Sequence, residues 1–291
     1  MYVPCWASTD LLARIIGERI RATLGIPVII ENVTGAAGSI GVGRVARAPP
    51  DGYTLSAGHW GTHVANGAIY ALTYDVLNDF EPISLLASVP YLIVARKSLP
   101  VDDLKGLIAW LKANADKATA GTAGVGAPQH IFGTLFQVMS GTRFQFVPYR
   151  GAAPAMQDLV AGQIDFSIAD AAASLEQVRS GTIKAFAVAA KSRLLAALEI
   201  PTVDEAGLPS FYASLWFGMW APRRTPKEVV AKLNSAVVDG FGDASVLSRL
   251  DSLGLDRFPR EQETPEALGA FQKAEIEKWW PIIRAANIRA E

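Results

Sequence analysis

Cysteine is nearly missing from this chain: Cys5 stands alone among 291 residues. No disulfide can close within the chain, and cysteine usage carries no information about the redox compartment. Charge of either sign is not in excess. Twenty-seven Lys and Arg against 28 Asp and Glu leave a net charge of -1, so no broad positive field exists to hold nucleic acid or an anionic membrane. A nucleic-acid partner is therefore not expected, and a charged ligand would have to be held locally. No run of about 20 apolar residues occurs, which excludes a bilayer-spanning helix. The basic and apolar regions of a signal peptide are absent from the N-terminus. Met1-Tyr2-Val3-Pro4 reads like the tail of a strand entering a loop, so the natural start is expected upstream. Low-complexity segments and short-period repeats are absent as well.

What is present is material for a core. Half of the residues are hydrophobic and 19% are charged, a balance that excludes a disordered chain. The length predicts two lobes, each able to bury its own core.

The pattern along the chain is that of an α/β protein. Residues 9–24 place Leu11, Leu12, Ile15, Ile16, Ile20 and Leu24 at helical spacing behind the N-cap oxygens of Ser8, Thr9 and Asp10. Residues 27–30 read as a short buried strand, and 35–43 as a flexible loop leading to a second helix that ends before Pro49-Pro50. Strands are expected at 53–57, 91–95, 145–148, 164–168, 185–189 and 216–221, and helices at 101–114, 129–139, 227–241 and 265–286. Such alternation implies a parallel sheet. Residues 1–95 with 220–291 read as one lobe, and 96–219 as the other.

Several motifs carry candidate chemistry, each beside a plainer reading. Cys5 precedes a helix N-terminus, where a thiolate nucleophile would be stabilised, but a lone cysteine also serves as a small buried hydrophobe. His59 and His63 stand four apart, as helical zinc ligands would, yet Gly58 and Gly61 mark the segment as a loop; His130 could complete a three-histidine site only from far along the chain. No metal and no cofactor is expected. The run Gly35 to Gly41 lacks the G-x-G-x-x-G spacing of a dinucleotide loop and reads as a turn. The run Gly121 to Gly126 leads into Pro128, a residue suited to the first helical turn. Its backbone amides form either an anion site or a structural turn.

Taken together, a series of phrases resembles the substrate-binding proteins of tripartite tricarboxylate transporters, the Bug family. These phrases include Glu31-Asn32, Gly35-Ala36-Ala37-Gly38, Pro50-Asp51-Gly52-Tyr53-Thr54-Leu55, Gly61-Thr62-His63 and Asp79-Phe80-Glu81-Pro82-Ile83-Ser84-Leu85. Farther on come Val147-Pro148-Tyr149-Arg150-Gly151, Gly162-Gln163-Ile164-Asp165, Ile200-Pro201-Thr202-Val203 and Trp216-Phe217-Gly218. The resemblance covers essentially the whole chain. It implies a two-lobe periplasmic binding protein of the Venus-flytrap type with two interlobe crossovers, periplasmic residence, a monomer, and delivery of a small organic carboxylate to membrane transporter subunits. It also implies that the protein is not an enzyme. A ligand-sensing receptor is the alternative binding role, and a Cys/His hydrolase is a more distant one.

In the family the ligand lies between loops of both lobes, held mainly by backbone amides, hydroxyls and ordered water. That carries over to Trp6, Ala7, Ser8, Thr9 and Asp10, and to His59, Trp60, Gly61, Thr62 and His63 in the first lobe. In the second it points to Thr122, Ala123, Gly124, Gly126 and His130, to Tyr149, Arg150, Gly151 and Ala152, and to Asp170. This chain departs from the family at Trp6-Ala7, where paired glycines are usual, and in lacking most of the first strand before Val3. Trp6, Trp60 and His59 would shape the distal end of the pocket and favour an aromatic or bulky carboxylate, unless Trp60 is a packing residue.

Overall fold

A computed structural model describes residues 1–4, 7–33, 35–252 and 254–289, with the side chains at 3, 4, 7, 8 and 252 outside the description. The chain opens with strand β1 (Tyr2–Pro4), helix α1 (Ala7–Leu24), β2 (Glu31–Val33), α2 (Ser39–Ala46), β3 (Ser56–His59), α3 (Asn66–Ile69) and the long β4 (Phe80–Arg96). It continues through α4 (Leu104–Ala113), β5 (Thr119–Thr122), α5 (Pro128–Ser140), β6 (Gln145–Pro148), α6 (Ala152–Val160), β7 (Phe166–Asp170), α7 (Ala171–Arg179) and β8 (Ile183–Val188). The last stretch holds β9 (Ser214–Pro222), α8 (Lys227–Gly240), α9 (Ala244–Ser252), β10 (Asp256–Arg257) and α10 (Pro265–Ala285). These elements form two compact units, Met1–Ser88 with Trp216–Arg289, and Val89–Leu215. The chain passes from one to the other within β4 and returns within β9.

In the first unit β1 pairs in parallel with both β2 and β3, β3 pairs antiparallel with β9, and β10 pairs antiparallel with the first half of β4. Helix α1 forms because its apolar residues share one face: Leu12, Ile15, Ile16 and Ile20 are all buried. At about 1.5–3 kcal/mol for each buried large aliphatic side chain, that face outweighs the weak propensity of its β-branched members. The core also holds Trp216, Trp220 and Trp279. The indole N–H of Trp220 donates to Gln272 at 3.0 Å, and Gln272 in turn donates to the carbonyls of His63 and Val76.

The second unit is built on a sheet in which β5 lies between β6 and β7, all parallel, while β7 and β8 run antiparallel to the second half of β4. Phe132, Phe136, Phe166 and Phe211 fill its core, with edge-on ring contacts such as Phe136 on Phe211 at 5.5 Å. The side of β5 and β7 on which these strands end is also where α5, α6 and α7 begin. In open α/β sheets this is the ligand side.

Four local expectations are corrected. The strand expected at 27–30 begins instead at Glu31, because β1 pairs there, Tyr2 opposite Glu31; Ile29 is left 70% exposed. The strand expected at 53–57 is displaced to Ser56–His59, and Tyr53 sits in a turn closed by the Asp51 carboxylate, which accepts its N–H at 2.9 Å. The loop read over 35–43 is helical from Ser39, where Val42 and Val45 are buried as α2 lies against β1 and β3. Finally, the sheet is mixed and not parallel throughout: β1–β2–β3 and β5–β6–β7 pair in parallel, whereas the long β4 meets β7, β8 and β10 antiparallel.

Candidate functional site

Each unit presents a strand-to-helix turn with a threonine and a histidine, and the two turns are built differently. In the first unit α1 starts at Ala7, so Ser8, Thr9 and Asp10 occupy its first turn and are not part of a loop. Cys5 and Trp6, proposed as a nucleophile and an aromatic wall, lie outside the described residues. Thr9 is buried, and its hydroxyl has no partner among the described residues. Asp10 is engaged: both carboxylate oxygens accept from Arg14 at 2.9 Å, and Asn32 donates to one of them at 2.7 Å. The Arg14 guanidinium holds this carboxyl below its ordinary pKa.

Gly58 and Gly61 predict a loop over residues 58–63. The backbone instead leaves β3 at His59 and enters a π-helical turn, Gly61–Ala65. The glycines that suggested a loop are there for close approach. A Cβ on Gly58 would lie 2.3 Å from the His63 ring, and one on Gly61 2.7 Å from the His59 ring. Thr62 ties the turn by donating to the His59 carbonyl at 3.0 Å and accepting the His59 N–H at 3.1 Å. His63 stacks on Trp220 with ring centroids 3.7 Å apart, and Trp60 meets Trp279 edge-on at 5.3 Å. His59, Trp60, Thr62 and His63 are all at most 1% exposed. Burial drives the His59 pKa down to about 3 and that of His63 well below the ordinary imidazole value, so both rings are neutral. Gly61 donates its N–H to His59 Nδ1 at 3.0 Å, which assigns the ring proton to Nε2. Among the described residues no cluster of three or more His, Cys, Asp or Glu is arranged to hold a metal.

In the second unit β5 ends at Thr122, which accepts the Tyr149 N–H at 2.9 Å through its carbonyl. Beyond it Gly124 and Gly126 take positive φ, 127° and 76°, and the Gly126 N–H donates to His130 Nδ1 at 3.0 Å. His130 is partly buried, which lowers its pKa. Pro128 opens α5, needing no N–H at that position. Gly151, with φ 116°, is the N-cap of α6, and among the described residues no side-chain cap bonds to the first amides of that helix. Asp170 caps α7 by accepting the Ala173 N–H at 2.8 Å, and burial raises its carboxyl pKa in spite of that bond. Tyr149 is turned to its own structure: its hydroxyl donates to Asp158 at 2.6 Å, and its pKa is pushed up to about 12 by burial and by that carboxylate.

Of the residues expected at the site in this unit, Thr122, Ala123, Ala152 and Asp170 line one pocket. Gly124, Gly126, His130, Tyr149, Arg150 and Gly151 flank it without lining it. Gln129, Met156 and Ser167, none of them among the expected site residues, also line it, with Gly121 and the small side chains of Ala155, Ala169 and Ala173 closing the rest. The pocket measures about 10 Å³, the room of roughly one water-sized sphere. By itself it takes a functional group, not a whole ligand. What it offers chemically is the amide ends of three helices, α6 uncapped among them, around a buried threonine and a carboxylate. Helix N-termini of this kind favour negative charge.

With this geometry in place, comparison with known proteins gives a consistent result. The model of the tripartite tricarboxylate transporter family receptor matches residues 12–288. MatC from Rhodopseudomonas palustris, solved with bound malate, is 36% identical over 97% of this chain and 98% of its own, with a TM-score of 0.83. The periplasmic binding protein BugD is 37% identical over 99% of this chain and 98% of its own, with a TM-score of 0.82. A second R. palustris protein, solved with adipate, is 32% identical over 100% of this chain and 98% of its own, with a TM-score of 0.85.

Proposed function

This chain belongs to the tripartite tricarboxylate transporter receptor family, a solute-binding family, and on that premise we propose that it captures a small organic carboxylate in the periplasm and passes it, chemically unchanged, to the membrane subunits of such a transporter. The observation that carries the reading is the second-unit pocket, where the uncapped start of α6 meets Thr122 and Asp170. Amide donors fixed in advance bind an anion without a positive side chain, which suits a protein whose net charge is only -1. The malate and adipate in the two R. palustris relatives support a dicarboxylate or a comparably sized acid.

Magnitudes limit what this pocket does alone. Two charge-assisted hydrogen bonds contribute roughly 3–6 kcal/mol together, while micromolar affinity corresponds to about 8 kcal/mol. The remainder must come from burial of the ligand's carbon skeleton and from further polar contacts. His59, Trp60 and His63 are assigned to packing because each is sealed in the core of that unit.

A thermal-shift panel of mono- and dicarboxylates, followed by calorimetry, tests the reading. Ligand at a hundredfold excess over its Kd stabilises by about 2.7 kcal/mol, a rise of several degrees in Tm for a protein of this size. Mass spectrometry of the recovered ligand should find it unaltered. A panel in which no carboxylate raises Tm, or a ligand recovered as a reaction product, would end the proposal.

A further inference from the structure

Asp170 sets a problem for a pocket that takes a carboxylate. It is the one acidic residue lining that pocket, and no Lys, Arg or His stands beside it among the described lining residues. With about 10 Å³ available, roughly one water-sized sphere, a ligand oxygen seated there is brought against the Asp170 side chain.

The elements packed around Asp170 supply no positive charge to hold two anions together. On α7 the Ala173 N–H donates to its carboxylate at 2.8 Å, and the Ser174 hydroxyl donates to its carbonyl at 2.7 Å. On β4 Tyr91 stands opposite in register, its phenol kept neutral by burial first and by Asp170 second. On α5 His130 flanks the pocket as a neutral ring, lowered in pKa by burial and accepting the Gly126 N–H at Nδ1. On α6 the Asp158 carboxylate accepts from the Tyr149 hydroxyl at 2.6 Å, and Arg150, just before that helix, is exposed and outside the lining. Burial raises the Asp170 carboxyl, main-chain amides hold it down in part, and no charged side chain contributes. Two carboxylates in one site without a cation do not both stay ionised; a proton between them turns repulsion into a hydrogen bond.

We infer that Asp170 is the proton-uptake site of ligand capture: when a ligand carboxylate enters the second-unit pocket, one proton from solvent is bound between that carboxylate and the Asp170 carboxyl, so that the anion and a proton are taken up together. This inference rests on the carboxylate-binding reading above. The charges balance: one ligand anion and one proton arrive, and the pocket keeps the single negative charge that Asp170 gave it. Linkage fixes the sign. The ligand's charge pushes the carboxyl upward, the direction in which burial already pushes it. Between its free and ligand-bound values, affinity falls as pH rises, by up to about tenfold per pH unit.

The test is calorimetry on the full chain with the tightest binder among L-malate, succinate, adipate and benzoate, between pH 6.5 and pH 8.5, where these acids are ionised. Titrations in two buffers of different ionisation enthalpy count the protons. At pH 6.5 the wild-type protein takes up about half a proton or more per ligand, and its affinity falls at least about threefold by pH 8.5. Asp170→Asn keeps a side chain suited to capping α7 and carries its own N–H donor. It abolishes the uptake and levels the pH dependence, with affinity at pH 8.5 equal to or above that of the wild type. Wild-type binding without net proton uptake overturns the inference and needs no variant. Uptake that survives Asp170→Asn and disappears in His130→Gln assigns the proton to the imidazole and overturns it too. So does an Asp170→Asn protein that loses affinity at every pH, because the ionised carboxylate is then itself a ligand contact. A protein that binds no acid of the thermal-shift panel loses the proposed function first, and the inference with it.

Discussion

The two strand-to-helix turns differ less in composition than in what is packed against them. Gly61-Thr62-His63 and Gly121-Thr122, with His130 farther on, share a residue vocabulary. In the first, the threonine bonds back to the strand, and both imidazoles point into aromatic surroundings, His63 stacked on Trp220 and His59 edge-on to Phe217. In the second, His130 is only partly buried, and a pocket remains between the ends of three helices. A glycine-threonine-histidine phrase is thus neither a site nor a core element by itself. Whether large rings are available to fill the space decides which it becomes.

The largest expected effect breaks the first half of this comparison. Trp60→Ala removes a fully buried indole and should destabilise the protein by about 3–5 kcal/mol, read as a lower denaturant midpoint. If Trp60 instead formed a wall of the ligand site, stability would hardly change and affinity would fall.

The next sharpens the second half. Ala152→Pro deletes one N–H at the first position of α6, where proline suits the backbone. Carboxylate affinity should fall by about 1.5–3 kcal/mol, the worth of one charge-assisted bond, while the unfolding midpoint moves little. Unchanged affinity in calorimetry would remove α6 from the site.

A third follows from the sealed imidazoles. Their folded pKa values lie below the unfolded value, so the unfolded chain takes up protons that the folded one refuses. The stability this reflects is present above about pH 6.5 and drains away as pH falls toward about 3 for His59. By pH 5 His59 alone accounts for about 2 kcal/mol, and His63 acts in the same direction. Urea midpoints at pH 7 and pH 5 should show this loss, and His59→Gln should reduce it. A wild-type midpoint that does not fall would mean that water reaches the rings.

These contrasts also mark how far the sequence could be read. The α/β class and the family phrases were legible because they are local, and so were the β6 strand and the start of α5 at Pro128. Residues 27–30 misled because local apolarity does not fix a strand's position; the partner does, and Tyr2 faces Glu31. Residues 58–63 misled because glycine serves two ends, freedom of φ and closeness of approach. Only the imidazoles packed against Gly58 and Gly61 distinguish them. Gln129 carried one usable signal, its place just after a proline in a helix's first turn. That its Oε1 lacks a partner among the described residues is a property of packing, which no spacing in the sequence encodes.

The smallest effect concerns Asp10, which the sequence placed at the ligand and the structure engages with Arg14 and Asn32. An exposed pair of this kind contributes about 0.2–1 kcal/mol, so Asp10→Asn should shift the unfolding midpoint only slightly. Carboxylate affinity should stay within about twofold of wild type, because a side chain with both oxygens occupied has little left to offer a ligand. An anion binding close to a carboxylate would gain from its removal. A marked rise in affinity for Asp10→Asn would therefore place this first turn beside the ligand, and a marked fall would make the carboxylate itself a ligand contact. Either result would give the first-unit turn a direct part in binding and erase the contrast with the second.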